Sequence, residues 1–161
     1  DPDVVRWRAA GTASTIQLQE IAELRMATEP LAARLAASQP PAVTFEGLSR
    51  SVVDMTAAAS AGSYQAFVAA DREFHRALLR GSGNRMLTAL ESTLSVALQV
   101  RSEVVSMSED MSANVLELHE AVLSAIEQRD PQGAEEAARA IVQAGLQEVE
   151  HALHRSRGSG S

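Results

Sequence analysis

Three side chains of types that commonly bind metal ions fall on the apolar faces of predicted helices. In the stretch "DREFH", Asp71 and His75 are four residues apart, on the same predicted face as Phe74 and Leu78. Residues at positions i and i+4 of a helix have Cβ atoms about 5–6 Å apart, so a carboxylate oxygen and an imidazole nitrogen can reach one ion or one water molecule. His119 has an equivalent inward position on a later predicted helix. These residues indicate a site for a divalent metal or a polar ligand inside the protein.

Two arginines also fall on or beside apolar faces. Arg101 continues a series that Leu94 and Ala97 begin at helical spacing, and Arg25 has a similar position on the first predicted helix. A guanidinium group is a planar fork of donors that matches a carboxylate, so both arginines are candidate ligands for an organic acid. Burying an unpaired ionised group costs several kcal/mol. The alternative is that the inward polar groups only pair with one another, for example Arg101 with Glu29.

The elements that must position these residues are helices. Hydrophobic residues at helical spacing predict six or seven antiparallel helices, and therefore an all-α bundle around a central ligand or metal cavity. The predicted segments are Ile16–Ser38, Phe45–Ala61, Ser63–Arg80, Asn84–Met107, Ser112–Arg129 and Gly133–Arg155. Pro30 inside the first segment implies a kink or two abutting helices. Gly62 is expected to end the second, and Asp130 followed by Pro131 is a helix-start signal before the last.

Composition supports a single helical domain and excludes several functions. The chain has 161 residues, of which 45% are hydrophobic and 3% aromatic, which favours helices over a β-sandwich. A net charge of −7 without a basic stripe argues against DNA binding by this chain alone. The absence of Cys fits a cytoplasmic location, and no apolar run approaches the ~18 residues that cross a bilayer. We expect the folded domain at 16–155, after a linker remnant at 1–15 and before an engineered tail at 156–161.

Three motifs occur in a distinctive order along the chain. They are "ELRMATEPLAARLAA", "DREFHRALLRGSGNRML" and "ELHEAVLSAIEQRDPQGAEEAARA". In this order they resemble the C-terminal, FCD-type effector-binding domain of GntR-family transcription regulators of the FadR subgroup. The resemblance extends from Leu18 to Leu153. It implies an all-helical bundle in which Asp and His residues hold a divalent metal beside a small effector, usually a carboxylate or a sugar acid.

The resemblance assigns Asp71, His75 and His119 as metal ligands. The family's further His falls near Ile141, or near Gly145 if the last helix is aligned from its other end, and neither residue can coordinate a metal. We therefore expect a three-ligand site that water or the effector's own oxygens complete. Two imidazoles favour Zn²⁺, and Ni²⁺ or Mn²⁺ also stays open.

The resemblance also implies the partners of the protein. Arg25 matches the Arg of the family's opening Glu-x-Arg, and Arg101 is predicted to point toward the same interior, so both are expected to hold the effector's acid group. The effector is expected to be a small organic acid. DNA is expected to be bound only by an upstream winged helix-turn-helix domain. Because palindromic operators mirror the symmetry of the protein, the regulator is expected to be a homodimer. It is also expected to have no enzymatic activity and no contact with a membrane.

Two other functions stay open from the residues themselves. A helical-bundle metalloenzyme of the di-iron type needs Glu ligands and two Glu-x-x-His motifs. In this sequence Glu148 and His151 show that spacing, on a face that is predicted to be exposed. A ligand-free structural scaffold, whose inward polar groups merely satisfy one another, is the other alternative.

Overall fold

Seven α-helices account for most of the chain that the structure describes. This computed structural model describes residues 15–39, 41–104 and 109–158, with side chains described for 16–39, 45–99, 101–102 and 114–151. The helices are α1 (Thr15–Ser38), α2 (Pro41–Ser60), α3 (Tyr64–Gly81), α4 (Arg85–Ala89), α5 (Glu91–Val104), α6 (Glu109–Glu127) and α7 (Pro131–Gly158). The described residues form no strand, so the predicted all-α class is confirmed. Within these ranges, no helix has both the length and the apolar character needed to cross a membrane.

A glycine turn and a serine N-cap define where α3, the helix that carries Asp71 and His75, begins. The chain leaves α2 through Gly62, whose φ of 64° is accessible to glycine at little cost. The N–H of Ser63 then donates to the carbonyl of Ala58 at 2.9 Å. The Ser63 hydroxyl accepts from the N–H of Ala66 and caps the new helix. The predicted break at Gly62 is therefore confirmed.

Helix α3 is the central helix of the bundle. It packs against α1, α2, α4 and α5. Its inner face buries Phe74, Leu78 and Leu79 completely. Each such side chain contributes about 1.5–3 kcal/mol when it leaves water. Asp71 and His75 lie on the same buried face, as their spacing predicts, so the packing of α3 carries these polar residues into the interior.

Helices α1 and α7 pack along each other and form one of the two most extensive helix pairs in the described bundle. Both bury small residues, including Ala33 and Ala134, which let helix axes approach closely. Asp130 begins α7 as predicted, because its Oδ1 accepts from the N–H of Gly133 at 3.0 Å and Pro131 is the first helical residue. Helix α6 packs against α2 and α7 and completes the core around α3.

The prediction of one long helix over Asn84–Met107 is wrong in one respect, because the structure divides this segment into α4 and α5. The division is at Leu90, whose N–H donates to the carbonyls of Leu87 and Thr88 as it caps α4. Tighter bonds of this kind are typical of helix ends. The C-terminal part of the predicted helix, residues 105–107, is outside the described residues.

Other boundaries differ by a few residues. Helix α2 begins four residues earlier than predicted, and α6 begins three residues earlier. Helix α1 is one element with Pro30 inside it rather than two abutting helices. The predicted linker remnant and tail fall largely outside the described residues, although α7 continues to Gly158, three residues beyond its predicted end.

Candidate functional site

The fold brings together the three predicted metal ligands. Asp71 and His75 lie one turn apart on α3, and α6 carries His119 to the same point. One ligand atom from each residue lies within 4.8 Å of the others. The Oδ1 atom of Asp71 is 3.2 Å from Nε2 of His119 and 3.6 Å from Nε2 of His75. The exposed fractions of these residues are 5%, 1% and 0% for Asp71, His75 and His119. This buried triad could hold a metal ion.

Each imidazole is oriented through its other nitrogen. Nδ1 of His75 is 2.9 Å from Oε2 of Glu29, and Nδ1 of His119 is 2.7 Å from the carbonyl oxygen of Val115. A carboxylate and a carbonyl are acceptors, so the neutral form of each ring would carry its proton on Nδ1, although the contact of His75 is close rather than well aligned. Nε2 of His119 then offers a lone pair 3.2 Å from Oδ1 of Asp71, whereas Nε2 of His75 accepts from Nη2 of Arg25 at 3.3 Å and lies 3.6 Å from the same Asp71 oxygen. Metal-binding histidines are commonly oriented in this way by a carboxylate or a backbone carbonyl.

The donor set passes a simple test of fit for a cation. With its proton on Nδ1, His119 presents an acceptor nitrogen to an acceptor oxygen of Asp71 at 3.2 Å. Among the described residues, that nitrogen is buried and has no well-aligned hydrogen-bond partner. Two lone pairs at this distance repel each other unless a proton or a cation lies between them. Two imidazoles and one carboxylate are ligands that suit Zn²⁺ and other divalent first-row metals.

The charges around the triad favour a bound cation. Burial alone would raise the pKa of the Asp71 carboxyl, but hydrogen bonds that His119 and His75 donate when a proton is on the nitrogen that faces Asp71 hold that pKa well below the usual range. Burial is likewise outweighed at Glu29, where Arg25 and His75 lower the pKa to about 2. Burial opposes ionisation of His75, yet the Glu29 carboxylate raises its pKa, against the effect of Arg25. Both carboxylates are therefore ionised at neutral pH.

Arg25, a predicted effector ligand, reaches the interior on α1 and is engaged there. Its Nε donates to Oε1 of Glu29 at 2.7 Å, and its Nη2 lies 3.3 Å from Oε2 of the same carboxylate. The same Nη2 is 3.3 Å from Nε2 of His75. The exposed fractions of Arg25 and Glu29 are 2% and 1%. Arg25 thus fixes the carboxylate that orients His75.

Arg101, the second predicted effector ligand, lies on the more accessible side of the triad. Its Nη1 is 3.2 Å from Oε2 of Glu148, and its Nη2 is 3.7 Å from Oδ2 of Asp71. The side chains of Arg101 and Glu148 are 14% and 11% exposed. Burial raises the pKa of Glu148, and although Arg101 opposes this, the charge of Asp71 adds to it. The carboxylate that Arg101 holds is therefore a poorly solvated one.

The two positions where a fourth ligand was expected have different surroundings. A Cβ atom at Gly145 would lie 2.7 Å from Nη1 of Arg101 and 3.4 Å from Nη1 of Arg25. The missing side chain thus makes room for two guanidinium groups. Ile141 is buried in the hydrophobic core. The set of possible metal ligands found in the described part of the chain accordingly has three members.

Two carboxylates beside the triad differ from their predicted positions or partners. The prediction that Glu148 is exposed is wrong, because the residue is 8% exposed and pairs with Arg101. Glu29 pairs with Arg25 and His75 rather than with Arg101. Spacing could have indicated the second pairing, because Glu29 follows Arg25 by four residues. It could not indicate the first, because Arg101 and Glu148 are 47 positions apart. His151 is exposed, as predicted.

Two crevices bounded by described residues lie outside the triad. One, of about 400 Å³, lies between α1 and α7. The other, of about 600 Å³, lies at the start of α7 and includes Arg34, Glu135 and Arg139. Neither is lined by a residue of the triad. The central effector cavity stays a prediction.

Comparisons with known proteins identify the family. A family model described as the FCD domain matches residues 20–144. No match was found among curated protein sequences. Among solved structures, the chain is similar to Streptococcus agalactiae GntR, with a TM-score of 0.70 and 24% identity over 81% of this chain and 58% of that one. It is also similar to E. coli McbR/YncC, with a TM-score of 0.74 and 19% identity over 89% of this chain and 68% of that one.

The extent of these matches decides what they show. The chain spans 58% of the length of the S. agalactiae protein. At the identities found, likeness to the two solved structures establishes the fold. The family model covers most of the chain. The chain therefore belongs to the FCD domain family, which confirms the resemblance that its three motifs carry.

Proposed function

We propose that the chain is the effector-sensing domain of a GntR-type transcription regulator of the FadR subgroup. The regulator binds a small carboxylate or sugar acid in this domain and binds DNA through an upstream winged helix-turn-helix domain, as a cytoplasmic homodimer. Membership of the FCD family and a fold shared with two GntR proteins support this proposal. The observation that carries it is the buried Asp71–His75–His119 triad with a guanidinium group beside it.

The triad is proposed to hold Zn²⁺, or another divalent first-row metal, through both Nε2 atoms and the Asp71 carboxylate. When bound, the metal supplies a positive centre that attracts oxygen atoms of an acid. Glu29 and the Val115 carbonyl keep the two rings in the orientation that ligation requires. Three buried carboxylates and two buried or half-buried guanidinium groups leave one excess negative charge in the cluster. A divalent cation reverses that sign, so the loaded site attracts a monovalent acid.

Arg101 is proposed to bind the acid group of the effector. Its guanidinium lies 3.7 Å from the Asp71 carboxylate, and its Nε has no hydrogen-bond partner among the described residues. A Cβ atom at Gly145 would lie 2.7 Å from Nη1, so the glycine allows the guanidinium group to occupy this position. An incoming carboxylate exchanges with the Glu148 carboxylate, which is poorly solvated in its present place. Arg25 is proposed to act through Glu29, by keeping that carboxylate ionised beside His75.

This exchange explains how the site could change the domain. Glu148 belongs to α7, whereas Arg101 belongs to α5, so their ion pair is a contact between two helices. An effector that takes the place of Glu148 favours an arrangement of α7 in which this contact is open. A ligand shifts such an equilibrium only by its different affinity for the two arrangements. In a dimer, the change would alter the spacing of the paired DNA-binding domains.

A binding screen tests the proposal. Thermal unfolding would be followed with a panel of small carboxylates and sugar acids, with and without Zn²⁺, and metal content would be measured by elemental analysis. We expect one class of acid to raise the melting temperature in a saturable and Zn²⁺-dependent way. The His75→Ala variant should lose the metal, whereas the matched His151→Ala change, on the exposed side of α7, should retain it.

The same screen separates the alternatives. Equal metal content in the native chain and in His75→Ala would show that Asp71 and His75 only bond each other. If no acid stabilises the chain under any condition, the scaffold alternative is supported. Turnover of a panel compound would instead support a metalloenzyme. A di-iron site is disfavoured by the geometry, because Glu148 points inward while His151 is exposed.

A further inference from the structure

An apolar crevice lies between α1 and α7, two of the helices that contribute to the charged cluster of Arg25, Glu29, Asp71, Arg101 and Glu148. This α1–α7 crevice has a volume of about 400 Å³ and is lined by the apolar residues Ala22, Met26, Leu146 and Val149, with Glu23 and Glu150 among its polar neighbours. Both carboxylates are on exposed residues. An apolar floor with acidic residues beside it suits a large apolar side chain that cations flank.

A segment with these properties precedes α1 in the same chain. Residues 4–8 read "VVRWR", so the single Trp of the chain, Trp7, lies between Arg6 and Arg8. Tryptophan and arginine are the residue types most enriched at the centres of interfaces, and a buried indole removes about 150–250 Å² from water. We propose that this segment docks in the α1–α7 crevice, with the indole of Trp7 against Leu146 and its two arginines beside the acidic residues.

The connection is long enough for this arrangement. Trp7 precedes Thr15 by eight residues, which can span at most about 29 Å. At ~1.5 Å per residue, Met26 lies about 17 Å along α1 from its first residue. The segment can therefore run back along α1 if the chain reverses between them. Gly11 lies in this connection, and glycine allows such a reversal.

Charge complementarity sets the direction of docking. The chain as a whole is acidic, with a net charge of −7, whereas residues 4–8 carry two positive charges and no negative one. Among the described residues that line it, the crevice has two glutamates and no basic residue. Ion pairs at an exposed rim orient a segment more than they strengthen its binding. The indole is therefore the anchor, and Arg6 and Arg8 select the acidic crevice.

Docking here would connect the segment to the charged cluster. Met26 of the crevice directly follows Arg25, and Val149 directly follows Glu148. Each helix thus presents one residue to the cluster and the next to the crevice. A displacement of α1 or α7 on effector binding would change the shape of the crevice and release or tighten the segment. This consequence for regulation rests on the proposed function, whereas docking itself does not.

Fluorescence of Trp7 tests the proposal directly, since the chain has no other Trp. In the native chain without effector, we expect emission at a shorter wavelength than in the urea-unfolded chain, and protection from a soluble quencher. The Leu146→Glu variant should shift the emission to that of the unfolded chain and remove the protection. The matched Leu31→Glu change, on an exposed leucine of α1 outside the crevice, should leave both unchanged.

Other outcomes overturn the proposal. Emission of the native chain equal to that of the unfolded chain would show that Trp7 is in water. A short-wavelength emission that Leu146→Glu leaves unchanged would place the indole elsewhere. If Leu146→Glu loses its helical circular dichroism, Glu150→Arg replaces it and should shift the emission in the same direction. A shift that follows dimer dissociation on dilution would assign the crevice to a second copy of the chain. Because no effector is added, failure here leaves the effector screen unaffected.

Discussion

Replacing Glu29 by glutamine gives the sharpest test of how the charged cluster is held together. Glu29 is 1% exposed, bonds the Arg25 guanidinium through both oxygens, and lies 2.9 Å from Nδ1 of His75. Glutamine keeps the shape of the side chain but removes its charge. The change therefore leaves a buried guanidinium group without its nearest anion.

The size of the effect follows from burial and from the pKa of Glu29. Removing one partner of a buried ion pair costs about 3–5 kcal/mol. Independently, the environment lowers the pKa of Glu29 from 4.5 to about 2, and a change of this size corresponds to ~3 kcal/mol of stability at neutral pH. The two arguments agree. For a domain of this length, such a loss lowers the melting temperature by about 6–12 °C.

The pH dependence provides a second signature. Because the pKa of Glu29 is lower in the folded state than in the unfolded state, its contribution is complete above pH 4.5 and is lost as the pH falls toward 2. We therefore expect the native chain to lose stability over this interval more steeply than Glu29→Gln. Urea denaturation at a series of pH values, with a chelator present to exclude metal effects, measures both profiles.

A double-mutant cycle supplies the control. Glu29→Gln combined with Arg25→Met should be less destabilised than the sum of the two single changes, because neither residue then leaves a buried charge without a partner. Glu135→Gln is the matched surface control, since its pair with Arg34 is exposed and should contribute less than about 1 kcal/mol. Should Glu29→Gln lose no more stability than Glu135→Gln, the reasoning about a buried ionised pair is refuted.

Three further predictions concern the site and the fold. Glu148→Gln removes the internal competitor of the effector, so isothermal titration should show about tenfold tighter binding of the acid, and unchanged or weaker binding would contradict the exchange at Arg101. The raised pKa of His75 means that protons compete with a metal already above pH 6.5. Zn²⁺ affinity should fall by about tenfold for each unit of pH below that raised pKa, and a flat profile would argue against ligation by His75. Asn84→Ala removes the oxygen that accepts from two N–H groups at the start of α4 and should cost about 1 kcal/mol in urea denaturation, whereas an exposed Asn114→Ala change should cost less.

Much of the fold was accessible from the sequence because the helices are strongly patterned. The face of α3 could be derived from the spacing of Phe74 and Leu78, and it placed Asp71 and His75 correctly in the interior. The break at Leu90 could not be derived, because the apolar spacing continues across it and the residues form no turn motif. Helix propensity and apolar periodicity describe whole helical segments, so they do not predict a local change in the backbone hydrogen bonds of a single residue.

The three residues of the triad were easier to predict than their charge partners. The residue types and the i, i+4 spacing of Asp71 and His75 are local, whereas the pairing of Arg101 with Glu148 joins residues 47 positions apart. A single sequence carries no direct record of which helices become neighbours. Glu29 was found as a candidate partner but was assigned to the wrong arginine, although Arg25 lies one turn before it on the same helix.

The room that Gly145 leaves for Arg101 has a consequence for the sequences of homologous chains. A methyl group added at this position would lie 2.7 Å from the guanidinium group, too close for both to remain in place. A side chain at position 145 on α7 and the guanidinium group of Arg101 on α5 would thus compete for the same space. When alignments of homologues are compared, a larger residue at the position of Gly145 should accompany a shorter one at the position of Arg101, and this covariation would mark lineages that recognise chemically different effectors.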